Sequence, residues 1–136
     1  MTLTDASPLV ALINAKDKNH ARCMAVLPAL SAPLLTTWPA FTEAMYLLFR
    51  YGGSPAQREL WSYVQDGLIS FHTLGAVEQE RMPELMEKYR DRPMDLADAS
   101  LVAAAEVLGI TRIFTLDSRD FHIYRLDNTG TFEVVP

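Results

Sequence analysis

Cysteine is almost absent. With Cys23 alone in 136 residues, neither an internal disulfide nor a multi-cysteine metal site can form, so any metal must be held by oxygen ligands. The three histidines, His20, His72 and His122, are scattered. None has a partner at metal-ligand spacing, and they are assigned no chemistry. Lysine is scarce, at Lys16, Lys18 and Lys88 only, and no basic stripe runs along the chain. The N-terminal MTLTDASPLVALINA has no basic stretch before an apolar core. No apolar run approaches the roughly 20 residues that cross a bilayer, and the expectation is a cytoplasmic protein. Repeats, low-complexity stretches and linkers are also missing. One domain over residues 1–136 is therefore expected, with 49% hydrophobic residues to build its core.

The formal net charge is −5, which argues against a nucleic-acid binder unless the acids are grouped. If Asp5, Glu43, Asp95, Asp98 and Asp117 form one cluster, 12 acids remain against 12 bases. Divalent cations would then reverse the sign locally.

The stretch 92–121, RPMDLADASLVAAAEVLGITRIFTLDSRDF, organises the rest. Asp95 suits a helix N-cap after Pro93, and LADASLVAAAEVL is a strong helix former up to the stop at Gly109. Its apolar residues run nearly all round, predicting a buried helix. ITRIFTL, residues 110–116, reads as a short buried strand. Asp95 and Asp98 fall three apart on the first turn, and Asp117 follows the strand, at the edge where open α/β sheets bind ligands. Helix capping is the alternative role for Asp95 and Asp98.

Elsewhere the pattern predicts strands at 2–5, 34–37 and 68–74. Helices are expected from Pro8, from Asn19, from Pro39 to Gly52-Gly53, and from Ser54-Pro55 to Gly67. Residues 76–90 read as a charged outer helix that Pro83 kinks or divides. FHIYRL and TFEVV read as two extended pieces flanking the turn Asp127–Gly130. The alternation implies an α/β fold of three layers, α/β/α, around a central parallel sheet of four to five strands.

In such a sheet Asp5 and Asp117 open at the same edge. Asp98 joins them at a helix start, and so does Glu43, the only acid between Asp17 and Glu59; as a bland alternative, Glu43 sits on the polar side of an amphipathic helix. Crowded carboxylates are either protonated or filled with cations, and hard Mg²⁺ or Mn²⁺ suits them best. Such an ion activates water and stabilises charge on phosphoryl oxygens, which points to phosphodiester hydrolysis.

On the residues DASPLVAL, TEAMYLL, PMDLADASLVAAAE and IFTLDSRDF, the sequence resembles the PIN-domain family, in particular the VapC toxins of bacterial toxin–antitoxin pairs. The likeness covers nearly the whole chain. It implies a Mg²⁺- or Mn²⁺-dependent endoribonuclease with Asp5, Glu43, Asp98 and Asp117 as a catalytic, metal-binding quartet and Asp95 as an accessory ligand. Asp120 is the weaker candidate, because DSRDF reads as a turn. Ser7 and Thr115 match small hydroxyl positions near the family's site, where they would bond a carboxylate or a metal water. The family further implies a homodimer, a VapB-like antitoxin that blocks the cleft, and an RNA substrate such as tRNA or rRNA. Arg90, Arg92, Arg112, Arg119 and Arg125 are the nearest phosphate contacts, with solvated surface roles as the alternative.

Two other readings compete. A phosphatase or receiver domain would use Asp5 as nucleophile or phosphate acceptor, yet no second Asp stands two after it and no lysine follows a predicted strand. A catalytically inactive PIN-like scaffold that binds RNA or protein is the non-enzymatic alternative.

Overall fold

The computed structural model describes all of residues 1–136. Five short parallel strands form its centre: β1 (Thr2–Thr4), β2 (Leu34–Thr36), β3 (Ile69–Phe71), β4 (Arg112–Phe114) and β5 (Glu133–Val135). Their order is β3-β2-β1-β4-β5, so the chain steps outward from β1 to β3 and then crosses to the other side of β1. The switch point lies between β1 and β4, where open α/β sheets place their ligands.

The period-two alternation of strand side chains builds the two outer layers. Leu3 lies in register with Leu35 and Ile113, and this row packs on the layer that contains α4 (Ala76–Lys88) and α5 (Leu96–Leu108). Leu34 and Phe114, one residue out of step, face α1 (Ala6–Ile13) and α2 (His20–Val26) instead. Helix α3 (Trp38–Gln65) covers the β3 side with α1 through Phe41, Leu48 and Leu60. The expected three-layer α/β/α fold is thus the observed one.

Helix α5 is buried as expected: Ala97 through Ala105 lie inside without a break. Small side chains allow this close approach from several sides, and Gly109 ends the helix in the left-handed conformation at φ 67°. Asp5 caps α1, which begins two residues before Pro8 because the Asp5 carboxylate accepts from Ala6 N at 2.7 Å. Between Gly52 and Pro55 the two expected helices abut within α3, broken only at Gly53 (φ 65°, ψ −154°).

Three expectations are corrected. Pro83 does not divide its segment; α4 runs through it. The amide that proline lacks would have bonded the Gln79 carbonyl one turn back, and both residues are exposed, so that carbonyl is open to solvent and its lost bond costs little. Nor is α4 merely an outer solvated helix, because Leu85 is fully buried and Met82 and Met86 pack on the core. FHIYRL is not extended: Ser118–Ile123 form α6, and only the second piece becomes a strand, β5, paired with β4. No helix is long and apolar enough to cross a membrane.

Candidate metal centre

Asp5 leaves β1 at the sheet's carboxyl edge, where its amide continues the β1–β4 ladder to Phe114 O at 3.0 Å. The residue is only 6% exposed. One carboxylate oxygen caps α1, and the other accepts from Thr115 Oγ1 at 3.0 Å. Burial pushes its pKa up, opposed by these two hydrogen bonds and assisted by Asp95.

Thr115 has a second task. Its hydroxyl oxygen accepts from Asp117 N at 3.0 Å, tying the loop after β4 to Asp5. Ser7 does not reach a carboxylate; its Oγ accepts from Leu116 N at 3.1 Å and fixes the same loop to the start of α1.

Asp95 is the exposed N-cap of α5 and accepts from Asp98 N at 2.8 Å. That bond turns the first helical turn so that Asp98, 8% exposed, enters the cleft. There Tyr124 OH donates to Asp98 Oδ2 at 2.9 Å. Burial raises the Asp98 pKa to about 8, with further contributions from Asp95 and Asp5. For Asp117, partial desolvation comes first and the adjacent Asp120 second, and together they raise it to about 6.

Asp98, Asp117 and Asp120 offer carboxylate oxygens that all lie within 4.8 Å of one another. Asp5, Glu43 and Asp95 fall outside that trio but within its field. Glu43, on the exposed side of α3, has its pKa raised by partial desolvation at the cleft, then by Asp5, Asp95 and Asp117. The cleft therefore gathers acids from β1, α3, α5 and α6. Its one ion pair is Arg92 Nε to Asp120 Oδ1, a loose 3.8 Å. Several anions around one cation leave excess negative charge. An all-oxygen carboxylate set of this spacing fits a hard divalent ion.

Sequence reasoning named Asp5, Glu43, Asp95, Asp98 and Asp117 for this edge and held Asp120 as the weaker candidate; the geometry brings Asp120 into the trio and adds Tyr124, which the sequence did not suggest. The signal for Asp120 was present: Asp117 and Asp120 repeat the D-x-x-D spacing of Asp95 and Asp98, with Asp117 at the N-cap of α6 and Asp120 on its first turn. Of the arginines considered for phosphate contact, Arg90 pairs with Glu87 and Arg112 with Glu133. Arg125 reaches carbonyls at the end of α6. A separate hollow of about 250 Å³ between α4 and α5 contains Arg81 and Glu106 and none of these acids.

The sequence matches the PIN domain over residues 2–127. It is 28% identical to Ribonuclease VapC26 of Mycobacterium tuberculosis over 134 residues, 98% of this chain and 99% of that protein. The fold superposes on M. tuberculosis VapC20, a sarcin–ricin loop cleaving toxin, with a TM-score of 0.83 at 20% identity and 100% coverage of both chains. A chain in a toxin–antitoxin complex from Klebsiella pneumoniae gives 0.67 at 19% identity, covering 89% of this chain and 90% of that one. With a match from residue 2 to residue 127 and a set of acids gathered where that fold switches direction, this chain belongs to the PIN domain family.

Proposed function

We propose that residues 1–136 act as one cytoplasmic nuclease domain, a divalent-metal-dependent endoribonuclease that is the toxin of a toxin–antitoxin pair. The observation that carries this reading is the convergence of Asp98, Asp117 and Asp120 within 4.8 Å, beside a buried Asp5. A bound Mg²⁺ or Mn²⁺ supplies an activated water and neutralises charge developing on the phosphoryl group.

The protein's own part is to hold that chemistry in place. Asp98, Asp117 and Asp120 would provide the ligand oxygens, and Asp5 would add a fourth carboxylate, fixed by Thr115 and the α1 amide. Glu43 stands at the rim of the cleft and, with Asp5, Asp98 and Asp117, forms the proposed catalytic set. Asp95 orients Asp98 and stays near enough to serve as an accessory ligand. RNA as substrate is supported by the names of the relatives Ribonuclease VapC26 and the sarcin–ricin loop cleaving VapC20, and a VapB-like antitoxin as partner by the toxin–antitoxin complex; a homodimer is the assembly proposed with them.

The test is incubation of purified, partner-free protein with tRNA, rRNA and total RNA in Mg²⁺ or Mn²⁺, beside EDTA and Asp5→Asn controls. Discrete cleavage lost in both controls is expected. Intact RNA in every pool and metal would favour the inactive RNA- or protein-binding scaffold.

A further inference from the structure

Trp38 opens α3 directly after Thr37, whose buried hydroxyl meets Ser100 Oγ at 2.6 Å. The start of the helix is thereby fixed against α5. The indole stacks on Phe71 of β3 with ring centres 3.9 Å apart and planes 7° from parallel, and it meets Phe41 edge-on at 5.9 Å. Yet 48% of Trp38 is exposed. A tryptophan held rigid by two aromatic neighbours, with half its surface open, is not simply core.

The open part lines a pocket of about 540 Å³. Pro39, Thr42 and Leu96 extend it, and Glu43 and Asp95 carry it to the acidic cleft. No lysine or arginine lines it. Thr42 already donates its hydroxyl hydrogen to Trp38 O at 2.7 Å. The pocket thus combines a flat π surface, apolar walls and a rim of oxygen acceptors. Phosphate is excluded by the rim, whereas a neutral planar group is not.

We infer that this pocket is a nucleobase subsite, in which an unpaired RNA base stacks on Trp38 and so positions the adjoining phosphodiester in the acidic cleft. The inference rests on the nuclease reading and extends it to a specificity-determining residue. Continuity with the cleft favours a base over a protein side chain. Unstacked bases in single strands and loops are what aromatic platforms recognise. The rigidity imposed by Phe71 means that little indole freedom is lost on binding.

Trp61 is the only other tryptophan, so a Trp61→Phe protein reports Trp38 emission alone. Single-stranded RNA oligomers are added in Ca²⁺ in place of Mg²⁺, and cleavage kinetics in Mg²⁺ or Mn²⁺ are measured for the parent, Trp38→Ala and Trp38→Phe. RNA should quench Trp38 emission. Trp38→Ala should raise KM roughly 5- to 150-fold with kcat little changed, the range expected for one lost base stack, and Trp38→Phe should restore most of it. The fluorescence arm stands even if Trp38→Ala folds poorly. RNA cleavage with unquenched Trp38 and an unchanged KM would overturn the subsite while leaving the nuclease reading intact. Quenching by an apolar helical peptide but not by RNA would overturn it in favour of protein docking. Absence of any metal-dependent cleavage would remove the nuclease reading, and this inference with it.

Discussion

Tyr124 donates its phenolic hydrogen to Asp98 Oδ2 at 2.9 Å from a fully buried position. The ring is held edge-on by Tyr89 and Phe121, with centres 5.0 and 5.1 Å away, so the hydroxyl has little choice of direction. A hydrogen bond to the charged form of Asp98 opposes the burial that raises its pKa. Tyr124 is therefore a positioning residue for the acid it touches.

Tyr124→Phe keeps the ring and its packing and removes only that bond. Metal affinity, measured by calorimetric titration with Mn²⁺, should fall about tenfold, at the lower end of what losing an outer hydrogen bond to a ligand costs. The melting temperature should move by only a few degrees. An unchanged Mn²⁺ affinity would reduce Tyr124 to a core residue.

Thr115 links the two strand ends that carry Asp5 and Asp117. Thr115→Val preserves shape but leaves a buried Asp5 oxygen and the Asp117 amide without their partner. Each unmet group costs about 1–3 kcal/mol, so denaturant melts should show a clear loss of stability together with reduced cleavage. Thr115→Ser should recover both. Full activity in the valine variant would show that the tie is dispensable.

The legible parts of this chain were those in which a local rule and the fold agree. Asp95 and Gly109 bracket α5 by capping chemistry, and Asp5 and Asp117 follow strands whose parallel packing brings their ends to one edge. Asp120 was obscured because α6 has six residues, too short for helical periodicity to register, so its D-x-x-D spacing looked like a turn. Tyr124 was invisible for another reason. Its contact with Asp98 is made between residues 26 apart in sequence and depends on how α6 lies against α5, which no local pattern encodes. At Pro83 the propensity rule gave way to tertiary context: the face carrying Met82, Leu85 and Met86 is buried, and one missing amide on the wet side does not outweigh that.

Asp98→Asn separates capping from metal binding. Asn matches the shape but cannot ionise to bind a cation, in a cluster where Asp5, Asp95 and Asp117 all disfavour ionised Asp98. Without metal, the variant should melt at or above the parent. With millimolar Mg²⁺ the parent should gain stability, about 2.7 kcal/mol when the ion stands at 100 times its Kd, and the variant should gain little. A variant that loses metal-free stability yet still responds to Mg²⁺ would make Asp98 a structural residue.

The same crowding sets the pH dependence of the metal-free protein. Asp98 is raised from 3.8 to about 8 and Asp117 from 3.8 to about 6. Between those limits the folded state keeps protons that the unfolded chain has released. Their contribution to stability is fully present below about 3.8, falls as pH rises, and is gone above about 8. Asp5 acts in the same direction. The groups facing Asp98 and Asp117 are Asp5, Asp95, Asp120 and Tyr124, and none brings a positive charge; Arg92, beside Asp120, is the nearest cation. Glu78 works the other way, because its hydrogen bond to His72 lowers its pKa and its contribution is lost only as pH falls below its ordinary 4.5. Thermal melts in EDTA should therefore show stability declining from pH 5.5 to 8.5. Over the same interval Mg²⁺ binding should tighten, since the ion displaces those protons, and saturating Mg²⁺ should flatten or reverse the decline. Metal-free stability that is constant or rises across that interval would mean the carboxylates are not crowded in solution, and the case for a cation among them would lose its electrostatic basis.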